Sequence, residues 1–324
     1  MESKLVSTAD VPPKFLKAVM LVGSVPFKAL RNDQRISYTL YVPPEHYNPD
    51  PKYVLHSDCK DTLDPVYQRP RLPLLVNIHG TGRSAEKCRD LLIPFANTEH
   101  VAVLAPLYPG GIDSDNDLDN YKVLRYKSLR SDIALLDILD EVATRWPGIA
   151  TEKVFMMGFS GGGQFVHRFM YLYPDRLHAV SVGAPGRVTY LDLELKWPKG
   201  IQNLEEVFGK GTVVEKAKVR ALRGIQLVVG NADNSAYGGP GFWEWRRSKQ
   251  ALEEKSEPSD KSSETLESEV TGRVDTLKGL EAAWRSDGIA SRFDIVYGGV
   301  KHEPEKVLGA VLEFFRPLVR ELQP

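Results

Sequence analysis

Apolar residues in this chain fall into short runs separated by longer stripes, and the two patterns alternate through most of its length. The runs at 72–78, 101–105, 154–157, 178–182, 225–229 and 292–297 have the length and β-branched or aromatic content of buried strands. Residues 129–145, 163–173, 274–286 and 304–322 instead repeat apolar side chains every three to four positions, which predicts helices. Near the start, 21–29 and 35–42 read as a β pair joined across Arg31-Asn32-Asp33. Strand and helix in alternation predict an α/β protein. Its eight-stranded sheet is antiparallel at the start, parallel afterwards, and covered by helices on both faces.

Two segments interrupt the alternation. Residues 187–223, with Trp197-Pro198-Lys199-Gly200 and a helical stretch at 204–208, read as an insertion between strands that forms a small cap over a site. Residues 248–272 are polar and charged with few apolar positions, the composition of a mobile surface loop. The expected organisation is one domain over 1–324, its core about 20–186 and 224–320.

A chain of 324 residues that is 42% hydrophobic can bury a large core, and a net charge of −1 gives no electrostatic case for nucleic acid. Every apolar run is too short to span a bilayer, so no membrane partner is expected. The N-terminus lacks the apolar segment of a secretory signal. Cys59 and Cys88 have no metal-ligand spacing and read as free thiols of a reducing compartment, so the expected location is cytoplasmic. The acidic stretch 113–119 fails as a calcium loop: Leu118 stands where glycine is required and Leu124 where glutamate is required, leaving a solvated loop. Zinc-helix, phosphate-loop and dinucleotide motifs are missing, so neither cofactor nor metal is expected.

The chemistry concentrates in Gly158-Phe159-Ser160-Gly161-Gly162, a G-x-S-x-G pattern that follows the apolar run Val154-Phe155-Met156-Met157 and precedes a helical stripe. A serine hydroxyl is a weak nucleophile near neutral pH. It needs presentation on a sharp turn, a histidine base and backbone donors for the oxyanion. Strand, turn and helix in this order supply the first requirement, and flanking glycines permit the bend.

On these residues the chain resembles the α/β-hydrolases of the esterase and lipase superfamily, over about residues 20 to 320. The resemblance implies an α/β-hydrolase fold with nucleophile, acid and histidine in that chain order. Of the two histidines beyond His167, His178 falls within a predicted strand. His302 falls in the loop 297–304, between the last strand and the last helix, and is the expected base. Asp233, just past the strand at 225–229, is the expected acid, with Asp192 as its rival. The Gly161 N–H is one expected oxyanion donor. The second comes from His79-Gly80-Thr81-Gly82, with Thr81 preferred to Gly82 and His79 taken as an anchor of the loop.

Tyr108, Tyr237, Phe242, Trp243 and Trp245 are candidate pocket walls, ordinary core packing being the alternative. The implied activity is cofactor-independent cleavage of a carboxylic ester or lactone, or a related amide, through an acyl-enzyme. The partner is then a small-molecule ester or lactone. A non-catalytic binding protein on the same fold and an acyltransferase with the same nucleophile are the competing readings. The depolymerase-like and carboxylesterase branches fit the plain His-Gly loop better than the His-Gly-Gly-Gly esterases do.

Overall fold

The computed structural model describes residues 5–53, 64–115, 117–234 and 272–323. Ten strands are assigned among them: β1 (Gly23–Ala29), β2 (Ser37–Val42), β3 (Leu72–Ile78), β4 (Ala102–Leu107), β5 (Arg125–Tyr126), β6 (Leu129–Arg130), β7 (Ile149–Phe159), β8 (Leu177–Gly183), β9 (Gly224–Gly230) and β10 (Arg292–Val296). Eight form one sheet in the order β1-β2-β4-β3-β7-β8-β9-β10. The β1/β2 and β2/β4 pairs are antiparallel and all the others parallel, as the sequence pattern predicts. The two-residue strands β5 and β6 pair only with each other.

The helices are α1 (Ala85–Asp90), α2 (Ile93–Thr98), α3 (Ser131–Arg145), α4 (Gly161–Leu172), α5 (Leu204–Phe208), α6 (Lys216–Arg220), α7 (Arg273–Ser286) and α8 (Pro304–Arg320). They cover the sheet on both faces. Leu72, Leu74, Val76 and Ile78 of β3 belong to the apolar cluster that takes in residues of α3, α4 and α7, whereas Leu75 belongs to the one that takes in residues of α2 and α8. That alternation is the period of two that sends successive side chains to opposite faces. With both faces covered, all seven residues of β3 are buried, which is why it reads as an apolar run broken only by Asn77.

Boundaries moved where polar residues disguised the pattern. The strand expected at 154–157 extends over Ile149–Phe159, because Ile149 and Ala150 pair with Leu72 and Pro73 ahead of the apolar core. The helix expected from 129 starts at Ser131, since Leu129 and Arg130 belong to β6. Helices α1 and α2 gave no signal: six residues each make fewer than two turns, too few to establish a period.

Segment 187–223 holds α5 and α6. It is tied down by Trp197, whose indole N–H donates to the Val123 carbonyl at 2.8 Å, and by the Thr189 N–H, which donates to His167 Nε2 at 3.0 Å. The charged stretch expected to be mobile, 248–272, lies outside the described residues apart from Gly272. No helix among the described residues is long and apolar enough to cross a membrane.

The strand order places the site. From β3 the chain runs to β4 on one side, then returns to β7 on the other, so the loops after β3 and β7 diverge and leave a crevice at their C-terminal ends. Ser160 follows β7 and His79-Gly80-Thr81 follows β3.

Candidate active site

Ser160 sits between β7 and α4 with φ 58° and ψ −115°, a conformation that costs a non-glycine residue about 1–3 kcal/mol and is held only where the surroundings impose it. Here they do. The Ser160 N–H donates to the Gly183 carbonyl at 2.8 Å, and the Gln164 N–H closes onto the Ser160 carbonyl at 3.1 Å. The flanking glycines are required by contact: a Cβ on Gly158 would lie 2.5 Å from the Gly162 carbonyl carbon, and one on Gly162 would lie 2.1 Å from the Ile78 carbonyl oxygen. The turn therefore projects the serine at the head of α4 while backbone packs directly against backbone behind it.

Asp233 and His302 meet from separate loops. His302 Nδ1 lies 2.7 Å from Asp233 Oδ2, and the carboxylate is fully buried. Two features of the sequence hold that geometry. Asn231 Oδ1 accepts from the Gly299 and Val300 N–H groups at 3.0 and 3.1 Å, and the Ala232 N–H donates to the Val300 carbonyl at 2.8 Å. The loop after β9 and the loop after β10 thus form one hydrogen-bonded unit. Arg273, at the start of α7, places Nη1 3.3 Å from the other Asp233 oxygen. Asp192, the rival acid, instead accepts from the Glu194 N–H at 2.8 Å within the 187–223 segment.

Ser160 and His302 line one cavity of about 380 Å³, together with Gly80, Thr81 and Arg273. The His302 ring lies 4.7 Å from that of Phe159, the residue before the serine. Gly161 opens α4, so its N–H has no acceptor within the helix. The position of a Gly161 Cβ would lie 3.2 Å from the Thr81 amide nitrogen, which puts the two expected oxyanion donors side by side.

No protein-family model matches the chain, and no curated protein matches it in sequence. Solved structures match over nearly its whole length. A poly(3-hydroxybutyrate) depolymerase from Bordetella parapertussis superposes with a TM-score of 0.59 at 20% identity, covering 98% of this chain and 96% of that one. Poly(aspartic acid) hydrolase-1 from Sphingomonas sp. KT-1 gives 0.56 at 20% identity, covering 86% and 92%. An S-formylglutathione hydrolase from Agrobacterium tumefaciens gives 0.51 at 13%, covering 93% and 96%. The chain has the α/β-hydrolase fold.

Within this α/β-hydrolase fold, several residues stand where their chemistry had not been anticipated. Lys122 is completely buried. Its ammonium donates to Thr81 Oγ1 at 2.8 Å and to Asp119 Oδ1 at 2.5 Å, and its Cε lies 2.7 Å from the position of a Gly161 Cβ. A cation therefore packs against both residues expected to supply the oxyanion donors. Arg83 clamps the same loop, donating to the carbonyls of Tyr108, Thr81 and Leu118 at 3.0, 2.9 and 3.1 Å. Nothing in the residue pattern announces Lys122 or Arg273, because each acts through a partner far away in sequence.

Tyr108 is corrected from pocket wall to core. It is fully buried, its ring stacks 5.5 Å from both Tyr121 and Phe165, and its hydroxyl donates to the Ser131 carbonyl at 3.2 Å. The aromatic ring, once covered on both sides, has no face left for a ligand. Tyr237, Phe242, Trp243 and Trp245 lie outside the described residues. The acidic stretch 113–119 is likewise more than a solvated loop: buried Asp117 accepts from the N–H groups of Gly111, Ile112 and Asp113.

His79 holds its loop as expected. Nε2 accepts from the Tyr108 N–H at 3.1 Å, so Nδ1 carries the proton it gives to the Gly80 carbonyl at 2.8 Å. Burial pushes its pKa down to about 4. His167 repeats the arrangement between Gly163 and Thr189, and burial lowers it to about 3. Both are neutral structural imidazoles, and among the described residues His302 is the histidine that lines the cavity.

Proposed function

We propose that this protein is a serine hydrolase that cleaves a carboxylic ester or lactone through an acyl-enzyme on Ser160. The observation that carries the reading is the meeting, on one cavity, of a serine held at φ 58° on a strand-to-helix turn with an imidazole paired to a buried carboxylate. Backbone strain of this kind clusters at functional sites.

Ser160 Oγ attacks the substrate carbonyl while His302 takes its proton through Nε2. Asp233 accepts from Nδ1–H, fixes that tautomer and stabilises the imidazolium. The N–H groups of Gly161 and Thr81 receive the developing oxyanion, and His302 returns the proton to the departing alcohol. Water activated by the same imidazole then releases the acyl group. The solved structures with this fold, a depolymerase of a polyester and two other hydrolases, support hydrolysis over ligand storage.

A fluorophosphonate probe tests the reading. The parent protein acquires the label and Ser160→Ala does not, and the parent turns over p-nitrophenyl acetate. A folded parent that takes no label and hydrolyses no ester in such a panel overturns it in favour of a non-catalytic role.

A further inference from the structure

The cavity at Ser160 has a lining that extends well past the groups that attack on a carbonyl requires. Beyond Ser160 and His302 it continues between the sheet and two helices, lined by Leu91 next to α1, Met157 of β7, Val228 of β9, and Val307, Leu308 and Val311 of α8. Pro304, Val307, Leu308 and Val311 recur at helical spacing and present one stripe to the opening. The seven steps from Pro304 to Val311 make that wall about 10 Å long along the helix.

The chemistry of the lining divides along this length. Its charged members gather at the end that holds the nucleophile: Arg83 bonds to the Thr81 carbonyl, Arg273 to Asp233, and Lys87 of α1 to Glu305 of α8. Further in, polar groups are turned to protein partners. Asn77 donates to the Cys88 carbonyl at 2.9 Å and Ser181 to Gln226 Oε1 at 2.6 Å. Burial pushes the Cys88 thiol up to about 12, so it remains protonated and behaves as an apolar wall. Water in such a space finds few partners, and an apolar occupant gains what water loses.

We propose that this slot between the sheet and helices α1 and α8 receives the acyl chain of the substrate, and that the preferred substrates are esters of unbranched medium-chain acids. The proposal rests on Ser160 acting as the acyl-accepting nucleophile. A carbonyl at Ser160 directs its alkyl tail toward Val311. An extended chain advances about 1.2 Å per bond, the same as a peptide backbone, so about eight carbons fill the slot. The ion pair between Lys87 and Glu305 joins the two helical walls. Both side chains are exposed, so the pair adds little stability and does not resist parting as the chain enters.

The test is kcat/KM for p-nitrophenyl esters from acetate to tetradecanoate, with fluorophosphonate labelling run alongside. Each added methylene raises kcat/KM by about four-fold until the slot is full near eight carbons, after which the gain stops. Val311→Trp, with Val311→Phe as the milder replacement, moves the optimum to shorter chains, and Leu91→Ala moves it to longer ones. General damage to the fold moves every ester together and cannot shift the optimum in opposite directions. A parent that is labelled and active but shows a flat chain-length profile, or variants that leave the optimum in place, overturns the slot while leaving the nucleophile intact. Failure of labelling and of all turnover overturns the nucleophile instead.

Discussion

Replacing Lys122 by methionine separates the electrostatic contribution of the oxyanion corner from its shape. The two side chains are similar in length, so the packing of Cε against Gly161 is largely kept while the ammonium disappears. Its nitrogen lies 2.8 Å from Thr81 Oγ1, and the Thr81 amide is the expected oxyanion donor. The charge therefore sits within about 9 Å of the oxyanion, counting about 3 Å from hydroxyl to amide and about 3 Å more to the bound oxygen. At an effective dielectric of about 20, two unit charges at that separation attract by roughly 2 kcal/mol, or about thirty-fold in rate. Asp119, partly exposed, offsets some of that attraction in the parent, so thirty-fold is the upper end.

Steady-state kinetics on a short ester read the effect as a fall in kcat with KM little changed, because the oxyanion exists only beyond the ground state. Affinity for a trifluoromethyl ketone, which forms the charged adduct on Ser160, falls in parallel. A kcat within three-fold of the parent in a variant of unchanged melting temperature refutes the reasoning and leaves Lys122 a structural residue.

Asp233→Asn removes the carboxylate that orients His302, and kcat falls by roughly 10³ to 10⁴-fold in the same ester assay, whereas Asp192→Asn leaves it within two-fold. For stability against pH, His79 and His167 have folded pKa values of about 4 and about 3, against 6.5 unfolded. The unfolded chain takes up protons there that the folded chain refuses, so stability is full above about pH 6.5 and falls as pH drops toward 4. Each imidazole contributes about 1.4 kcal/mol per pH unit, visible as a falling urea midpoint, and a midpoint that is constant between pH 7 and 5 contradicts this. Gly162→Ala forces β3 away from α4 and lowers the melting temperature by several degrees, whereas Gly309→Ala, in an exposed position of α8 with open space around it, raises stability by about 0.5–1 kcal/mol.

The parts of the site that were legible in the sequence are those fixed by chain order. Ser160 was marked by its glycines, and Asp233 and His302 by their places after β9 and β10, because a parallel sheet delivers all its strand ends to one edge. Tyr108 also follows a strand, yet its ring turned inward to Tyr121 and Phe165, a choice made by side-chain packing. Lys122 was hidden for a related reason. A lysine ordinarily reads as solvated, and this one bonds to Thr81, forty-one positions away in the chain. The slot draws its lining from β3, β7, β9, α1 and α8, and no local pattern encodes the space they leave between them.

Ser160 and His302 are carried by elements of unequal security. Ser160 follows β7, which has β3 on one side and β8 on the other, while His302 follows β10, the last strand of the sheet, paired among the described residues with β9 alone. An edge strand opens at lower free energy than a central one. If His302 serves as the proposed base, warming is expected to withdraw its imidazole before the sheet comes apart, and turnover is expected to be lost below the melting transition. Brief heating in that interval is then expected to be reversible, because the turn that carries Ser160 follows a central strand and stays folded while the loop that carries His302 opens.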